Sequence, residues 1–335
     1  MPERPLAMFA MTAENVPQIF PPDVLARLRE LVEIDPALVA ENFTDPRVRE
    51  ALAGTEILIT GWGCPPLDEA TLDAAPKLRA VLHAAGSVKS FTTPAVWQRG
   101  LVVSSAAGAN ALPVAEYTLA MILLAGKDLF AYRDRLRAER VFPYGEIVPG
   151  IGNFGRRVGV VGASRIGRRL IELLRPFDLR VSLADPYVDE GGAAALGVPL
   201  LPLDELLSGS DIVTVHAPQT AETRHMIGRR ELALMPAGAV LINTSRGALV
   251  DHDALADELR GGRISAILDV TDPEPLPADS LLYELPNAFI TPHLAGSQGN
   301  EVARLGLTVV EEAERLLAGK ELAFRVDGEG LERAA

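Results

Sequence analysis

The sequence has few of the residues that build covalent or metal-linked scaffolds. Its 335 residues include one cysteine, Cys64, and one cysteine forms neither an internal disulfide nor a cysteine-built metal centre. Basic residues are also scarce, since 32 lysines and arginines against 45 aspartates and glutamates give a formal net charge of −13. An acidic chain lacks the basic face that a nucleic-acid backbone or an anionic membrane attracts. We therefore expect no metal, no nucleic acid and no membrane among its partners.

Long apolar runs are missing as well. The first apolar stretch, Leu6–Met11, is short and follows charged and proline residues, which is not typical of a secretory signal. The longest candidate, 111–125, is interrupted by Pro113 and Glu116 and falls short of the roughly 18 apolar residues that span a membrane. These features predict a cytoplasmic protein.

The apolar pattern that is present alternates between short strand-like runs and helix-like segments. Strands are predicted at 6–11, 56–60, 78–84, 101–104, 158–161, 179–185, 211–215, 239–243, 264–270 and 289–291. This alternation is typical of parallel sheets built from βαβ units, and the length allows about two such domains. One long apolar helix is predicted from Asn110, as its N-cap, to Leu129. The segment Arg133 to Arg140 is interpreted as charged and solvated.

A glycine-containing turn separates the strand at 158–161 from the helix after it. It reads Gly162-Ala-Ser164-Arg165-Ile166-Gly167. Gly162 suits a tight turn, Gly167 suits close helix–strand packing, and a pyrophosphate can sit on the helix N-terminus. Ser164 replaces the middle glycine of the dinucleotide motif. Because strand–turn–helix corners also use glycine for structure alone, the turn by itself is a weak indication.

Asp185 ends the next predicted strand, 18 residues after Gly167. An acid at this place can accept hydrogen bonds from the adenosine ribose of NAD and would repel the 2′-phosphate of NADP. The structural alternative is a turn acid before Pro186. Arg165 and Arg168 lie nearby and can bind phosphate, so the sequence predicts NAD without excluding NADP.

Three further polar side chains, Arg246, Glu274 and His293, each follow an apolar run of the second half. Ligands of open α/β sheets bind beyond the carboxyl ends of the strands, so we expect these side chains at one edge. Histidine exchanges a proton near neutral pH, a carboxylate fixes its tautomer, and arginine presents a planar fork to an oxygen anion. Beside a nicotinamide ring, this set would reduce a 2-oxo acid. Taken singly, each also has an ordinary interpretation as a loop residue.

Together the motifs resemble the D-isomer-specific 2-hydroxyacid dehydrogenase family. The segments that carry the resemblance stand in family order: Asn110-Ala-Leu-Pro-Val-Ala-Glu116, Gly162–Gly167, His216-Ala-Pro-Gln-Thr220, 235–247, Leu268-Asp-Val270, Glu274-Pro275 and Thr291-Pro-His293. The resemblance implies an α/β chain of two doubly wound domains. A Rossmann nucleotide-binding domain, 106–296, would be inserted into a flavodoxin-like substrate domain, 1–105 with 297–335. It also implies a homodimer formed through the helix around 110–129.

The resemblance further implies a role for individual residues. Arg246, Glu274 and His293 would form the catalytic triad, with Arg246 also binding substrate. The cofactor would be bound by Gly162, Ser164, Arg165, Ile166, Gly167 and Asp185, by His216, Ala217 and Pro218 along the adenine side, by Thr244 and Ser245 in the cleft, and by Asp269 at the nicotinamide carboxamide. Backbone N–H groups of Ala85, Gly86 and Ser87 would bind the substrate carboxylate.

The predicted function is NAD-dependent interconversion of a D-2-hydroxy acid and a 2-oxo acid. The alternative is an NAD(H)-responsive regulatory protein that reuses the fold. Formate oxidation fits poorly, because the related formate enzymes pair the histidine with a glutamine rather than with an acid such as Glu274. The substrate stays open. Trp62 is interpreted either as a cover for the substrate side chain or as a structural loop residue, and Lys89 as a solvated or a mouth-lining charge.

Overall fold

A computed structural model describes residues 4–142, 145 and 147–328 of the chain. In that part the chain forms two sheets of mainly parallel strands, each covered by helices. The strands are β1 (Leu6–Ala10), β2 (Glu33–Val39), β3 (Ile57–Thr60), β4 (Ala80–His83), β5 (Val102–Ser105), β6 (Arg157–Val161), β7 (Arg180–Ala184), β8 (Ile212–Val215), β9 (Val240–Asn243), β10 (Ser265–Leu268), β11 (Ala288–Ile290) and β12 (Arg325–Val326). The α-helices are α1 (Val16–Ile19), α2 (Pro22–Leu31), α3 (Pro46–Leu52), α4 (Glu69–Ala74), α5 (Pro94–Gln98), α6 (Ala107–Gly126), α7 (Leu129–Glu139), α8 (Arg165–Leu174), α9 (Glu190–Leu196), α10 (Leu203–Gly209), α11 (Arg229–Leu234), α12 (His252–Arg260) and α13 (Ala303–Leu317).

The first compact unit comprises the described residues up to Ala111 together with those from Ser297. Its strand order is β12-β5-β4-β3-β1-β2, which is the flavodoxin-like order 2-1-3-4-5 with one antiparallel strand added at an edge. The central strands are buried along their whole length, so apolar side chains fill both faces of the sheet. The register aligns Thr60 with His83 and His83 with Ser105, which brings the loops after these strands to one edge.

The second unit runs from Leu112 to Gly296. Its strands are all parallel, in the order β11-β10-β9-β8-β6-β7, and a single bridge from Leu183 to Leu200 extends the sheet beyond β7. With that bridge the order is that of a Rossmann sheet, 3-2-1-4-5-6, with one more strand. The chain reverses its direction of winding at β6, between β7 and β8, and nucleotide sites lie beyond the carboxyl ends of the strands at such a point.

Two elements of the fold differ from the pattern that the sequence indicates. Strand β2 was not predicted, because Pro36 and alternating acids interrupt its apolar residues. Proline is tolerated there since β2 is an edge strand. The stretch Arg133 to Arg140 is exposed throughout, as the sequence predicts, but it is helical, because helix α7 covers it as far as Glu139. Since none of these residues is buried, the stretch has no apolar stripe from which helical periodicity could be detected.

Helix α6 begins at Ala107, so the prediction of Asn110 as its N-cap is wrong. The hydroxyl of Ser105 accepts the N–H of Ala107 at 3.1 Å, and the first turn packs into the first unit through Ala106 and Ala109. This packing is the reason that the two units divide at Leu112 and not before the helix. By length and composition α6 is the one described helix that could cross a membrane, yet several of its residues are buried in the core of the second unit.

Candidate functional site

The turn after β6 is shaped to approach a ligand closely. Gly162 has φ +98°, and a Cβ atom there would lie 2.6 Å from the backbone nitrogen of Ala217. A Cβ atom on Gly167 would lie 2.1 Å from the carbonyl oxygen of Gly162. Both positions therefore require glycine, and their close packing sets the start of α8 directly against the turn.

The N-terminus of α8 offers unused hydrogen-bond donors. Ser164 is the N-cap, and its hydroxyl oxygen accepts the N–H of Gly167 at 3.3 Å. Within the described residues, the backbone N–H groups of Ser164, Arg165 and Ile166 take part in no recorded hydrogen bond. Free N–H groups at a helix N-terminus attract phosphate. Ser164 thus caps the helix at the position where the motif has a glycine.

Asp185 lies beside the same turn. Its carboxylate accepts the N–H of Ala163 at 2.6 Å and that of Tyr187 at 2.8 Å. Each carboxylate oxygen therefore accepts one of the two bonds. Together they fix the half-buried carboxylate at the end of β7. Each carboxylate oxygen can accept more than one hydrogen bond, so the group keeps capacity for the hydroxyls of a ribose.

The segment 216–218 lines the turn through its backbone. The side chain of His216 is fully buried, with Nε2 2.8 Å from the hydroxyl of Thr214, and burial lowers its pKa to about 3. The imidazole is therefore neutral and faces the core, while the adjacent Ala217 backbone approaches Gly162. Ser245 donates its hydroxyl proton to the carbonyl of Ala217 at 2.9 Å, which ties the loop after β9 to this segment.

His293 and Glu274 form a close pair beyond the strand ends. Nδ1 of His293 lies 2.6 Å from Oε1 of Glu274, and both side chains are exposed to about half, at 50% and 40%. A carboxylate beside Nδ1 favours the tautomer with the proton on Nδ1. Nε2 is then the ring atom left to exchange a proton with a ligand. The histidine stands at φ +52°, a left-handed conformation that is uncommon for residues other than glycine.

Asp269 stabilises the left-handed backbone conformation of His293. Its backbone carbonyl accepts the N–H of His293 at 2.9 Å, and its carboxylate accepts the N–H groups of Leu294 and Ala295, each at 2.9 Å. The hydroxyl of Thr291 donates to the same carboxylate at 2.6 Å. Asp269 is 1% exposed, so the side chain organises the histidine loop. Its contact with a nicotinamide carboxamide stays a prediction.

Arg246 completes the group. Arg246 is half-buried, and the burial of its guanidinium lowers its pKa while the negative charge of Glu274 opposes the effect. One N–H bond goes to the carbonyl of Ser245 at 2.6 Å. A Cβ atom at Gly247 would lie 2.0 Å from the Thr271 carbonyl, so glycine there lets the arginine loop pack directly against the segment that leads to Glu274. The structure therefore brings the three predicted catalytic residues together in one unit.

The predicted carboxylate loop belongs to the first unit. The hydroxyl of Ser105 donates to the carbonyls of Ala85, at 3.2 Å, and Gly86. Among the described residues, the N–H groups of Ala85, Gly86 and Ser87 donate to no recorded acceptor. Free backbone N–H groups of this kind can donate hydrogen bonds to an anion.

His83 supports this loop from within the core. Its Nδ1 lies 2.9 Å from the Thr60 hydroxyl, and its ring centroid lies 4.8 Å from that of Phe91. Burial lowers the pKa of His83 to about 3, against a weaker opposing effect from the backbone of Ser87. The imidazole is therefore neutral and adds no charge beneath the loop.

Sequence reasoning missed several residues that shape the site. Tyr117 and Thr118 on α6 bond to Thr291, at 2.7 Å, and to Thr244, at 2.9 Å. Their only signal is polarity within an apolar helix.

The loop after β3 carries Trp62 and Cys64. Trp62 is 40% exposed. Burial raises the pKa of the Cys64 thiol well above its usual range, which makes that thiol a poor nucleophile. No group of three metal-ligating side chains occurs in the described ranges.

Comparison with known proteins identifies the family of the chain. The model of the D-isomer specific 2-hydroxyacid dehydrogenase NAD-binding domain matches residues 119–295. D-3-phosphoglycerate dehydrogenase of Mycobacterium tuberculosis is 38% identical over 255 residues, which cover 76% of this chain and 48% of that protein. The chain thus spans about half the length of that enzyme.

Two further relatives match over most of their length. Glyoxylate reductase of Korarchaeum cryptofilum is 35% identical over 259 residues, covering 76% of this chain and 77% of that protein. The crystal structure of a phosphoglycerate oxidoreductase from Rhizobium etli superposes with a TM-score of 0.81 at 27% identity, covering 97% of this chain and 99% of that one. With these matches and the two sheets described above, the chain belongs to the D-isomer specific 2-hydroxyacid dehydrogenase family.

Proposed function

We propose that the protein is an NAD-dependent oxidoreductase that interconverts a 2-oxo acid and a D-2-hydroxy acid. The observation that carries the proposal is the 2.6 Å pair of His293 and Glu274, whose carboxylate acts on the charge of the half-buried Arg246. A proton donor, its supporting carboxylate and a fixed cation are the groups that carbonyl reduction requires.

The cofactor in this proposal is held by residues of the second unit. The glycine turn at Gly162 and the free N–H groups at the start of α8 fit a pyrophosphate, and the carboxylate of Asp185 fits the two hydroxyls of an adenosine ribose. The same carboxylate disfavours a 2′-phosphate, which supports NAD over NADP. When bound, the nicotinamide supplies or accepts the hydride.

The chain's own residues handle the proton and the charge. In reduction, Nε2 of His293 donates its proton to the carbonyl oxygen, which becomes the hydroxyl of the product. Glu274 accepts the Nδ1–H in a hydrogen bond and stabilises the charged ring that exists before the proton is transferred. Arg246 donates N–H bonds to the polarised oxygen or the carboxylate of the substrate. The proposal assigns the substrate carboxylate to the free N–H groups of Ala85, Gly86 and Ser87.

An assay of NADH and NADPH oxidation against a panel of 2-oxo acids tests the proposal. The panel contains glyoxylate, hydroxypyruvate, pyruvate and bulkier analogues, so that the side chain beside the carbonyl varies while the 2-oxo acid stays constant. We expect NADH oxidation with at least one of them. Inertness towards the whole panel, combined with NADH-dependent binding of a partner, would instead support a regulatory protein.

We also propose a homodimer in the cytoplasm. Near α6 and α7, Phe142, Ile147 and Phe154 are 73%, 94% and 90% exposed. Large apolar side chains this exposed are typical of a surface that another molecule covers. A second copy of the chain, bound through this segment and α6, would bury them.

A further inference from the structure

A chain of three hydrogen-bonding side chains connects helix α6 to the loop of His293. The hydroxyl of Tyr117 lies 2.7 Å from Oγ1 of Thr291. The same Oγ1 lies 2.6 Å from Oδ1 of Asp269. Tyr117 and Thr291 are 174 residues apart in sequence, so the contact is made by the fold of the second unit and not by local structure.

The direction of these hydrogen bonds is fixed by chemistry. An ionised carboxylate accepts hydrogen bonds and donates none, so the Thr291 hydroxyl must donate to Asp269. Its oxygen is then free to accept the proton of Tyr117. Burial raises the pKa of Tyr117, and the charge of Asp269 raises it further against the opposing effect of the Thr291 bond, so the phenol stays protonated. Hydrogen bonds aligned towards an anion strengthen one another.

The chain ends on the residue that positions the histidine. Oδ1 of Asp269, which receives the Thr291 proton, also receives the N–H of Leu294 at 2.9 Å. Oδ2 receives the N–H of Ala295 at 2.9 Å. These bonds hold the two residues directly after His293, whose left-handed backbone costs free energy and persists only where the surrounding structure over-determines it. A carboxylate that rotated would release both amides together.

From this chain of contacts we propose that Tyr117 is a positioning residue for His293. Through Thr291 it fixes the rotamer of Asp269, and Asp269 in turn fixes the backbone that aims the imidazole at its substrate. Tyr117 touches neither Glu274 nor His293 in the recorded hydrogen bonds of the described residues, so it acts through the loop. The inference rests on the proposed role of His293 as proton donor, which the positioning serves.

A double-mutant cycle tests the inference. We expect Tyr117→Phe, which removes one oxygen, to lower kcat about fivefold to tenfold, with KM for NADH and for the 2-oxo acid changed less than twofold. Thr291→Val removes the middle of the chain and should cost at least as much. The double variant should be no slower than Thr291→Val alone, because the phenol then has no acceptor. Thr291→Ser keeps the hydroxyl, so adding Tyr117→Phe to this variant should lower kcat as much as it does in the wild type.

The matched control is Tyr132→Phe. Tyr132 is a half-buried tyrosine of α7 whose hydroxyl takes part in no hydrogen bond recorded for the described residues. Tyr132→Phe removes the same oxygen atom but leaves the hydrogen bonds from Tyr117 through Thr291 to Asp269 intact. We expect its kcat to stay within twofold of the wild type.

Amide hydrogen exchange gives a readout that does not need activity. Tyr117→Phe should speed exchange at Leu294 and Ala295 and leave α12 unchanged. Multiplicative losses in the double variant, a change of KM alone, or unaltered exchange at those amides would each overturn the inference. If the wild type reduces no 2-oxo acid, the proposed function fails, whereas the exchange result still decides whether Tyr117 holds the loop.

Discussion

Glu274 and His293 are joined by a single 2.6 Å contact between Oε1 and Nδ1, although they come from the ends of different strands. The contact occupies one ring nitrogen and leaves Nε2 to face a ligand. In carbonyl reduction the ring passes from its charged to its neutral form as it donates. The negative charge of Glu274 stabilises the protonated ring. This charge must be strong enough to keep the ring protonated before the reaction, but not so strong that it prevents release of the proton to the substrate.

Replacing Glu274 with glutamine keeps the size of the side chain and removes the charge. We expect kcat to fall about 10- to 100-fold, because the charged imidazole loses its stabilising partner. Steady-state NADH oxidation measures the loss. Glu284→Gln, at an exposed acid of the neighbouring segment, is the control and should leave kcat unchanged, and an equal loss in both variants would contradict the pairing.

The preference for NAD depends on Asp185 in this account. Asp185→Ser removes the charge that repels a 2′-phosphate, so kcat/KM for NADPH should rise at least tenfold relative to that for NADH. The ratio is obtained with a single 2-oxo acid at fixed ionic strength. A wild-type enzyme that already prefers NADPH would be incompatible with the assigned role.

Gly247 tests the packing that brings Arg246 towards Glu274. Gly247→Ala would place a Cβ atom 2.0 Å from the Thr271 carbonyl, so the loops must separate. We expect a loss of about 1–3 kcal/mol of unfolding free energy, typical of overpacking, together with a fall in kcat. Gly209→Ala adds the same methyl group where no atom lies within 4 Å. If both variants behave alike in urea unfolding, the close approach does not matter.

Two buried histidines predict how stability depends on pH. Burial lowers the pKa of His83 and of His216 to about 3 in the folded chain, whereas unfolded histidine titrates near 6.5. The unfolded chain therefore binds these protons first, so stability is full above pH 6.5 and falls as the pH drops towards 3.

The slope of this loss is about 1.4 kcal/mol per pH unit for each histidine within that window. Urea midpoints at pH 7 and pH 5 measure the change, with secondary structure followed by circular dichroism. A wild-type midpoint that does not change between these values would contradict buried neutral histidines.

The proposed dimer depends on the apolar side chains near α7. Phe154 is 90% exposed, and Phe154→Asp should shift the protein towards the monomer, since a charge at the centre of an apolar interface is unfavourable. Light scattering after gel filtration gives the mass. The matched change Leu281→Asp, at a leucine 49% exposed, should leave the mass unaltered. A wild-type monomer would contradict the proposal.

The sequence predicts best those features of the site that follow from the geometry of a parallel sheet. Arg246, Glu274 and His293 follow three neighbouring strands, and the carboxyl ends of such strands meet at one edge, so their meeting could be expected without coordinates. The glycine turn follows the same rule, because Gly162 needs its left-handed backbone whatever binds there.

Sequence patterns of this kind do not predict contacts between side chains that are distant in sequence. Neither periodicity nor spacing indicates that the Tyr117 hydroxyl reaches Thr291, or that Asp269 receives two amides beyond His293. The Asn110 cap was wrong because Ser105 supplies the oxygen from outside the helix. Strand β2 was missed because its proline is tolerated only at a sheet edge, and edge position is a property of the whole sheet.

The central claim is that His293 supplies the proton in carbonyl reduction. Single-turnover oxidation of NADH at pH 7 with the best 2-oxo acid of the panel, in the wild type and in His293→Ala, tests it most directly. We expect the rate constant of the variant to fall about 10²- to 10⁴-fold while NADH still binds with the wild-type Kd. A variant that oxidises NADH at the wild-type rate would contradict the account.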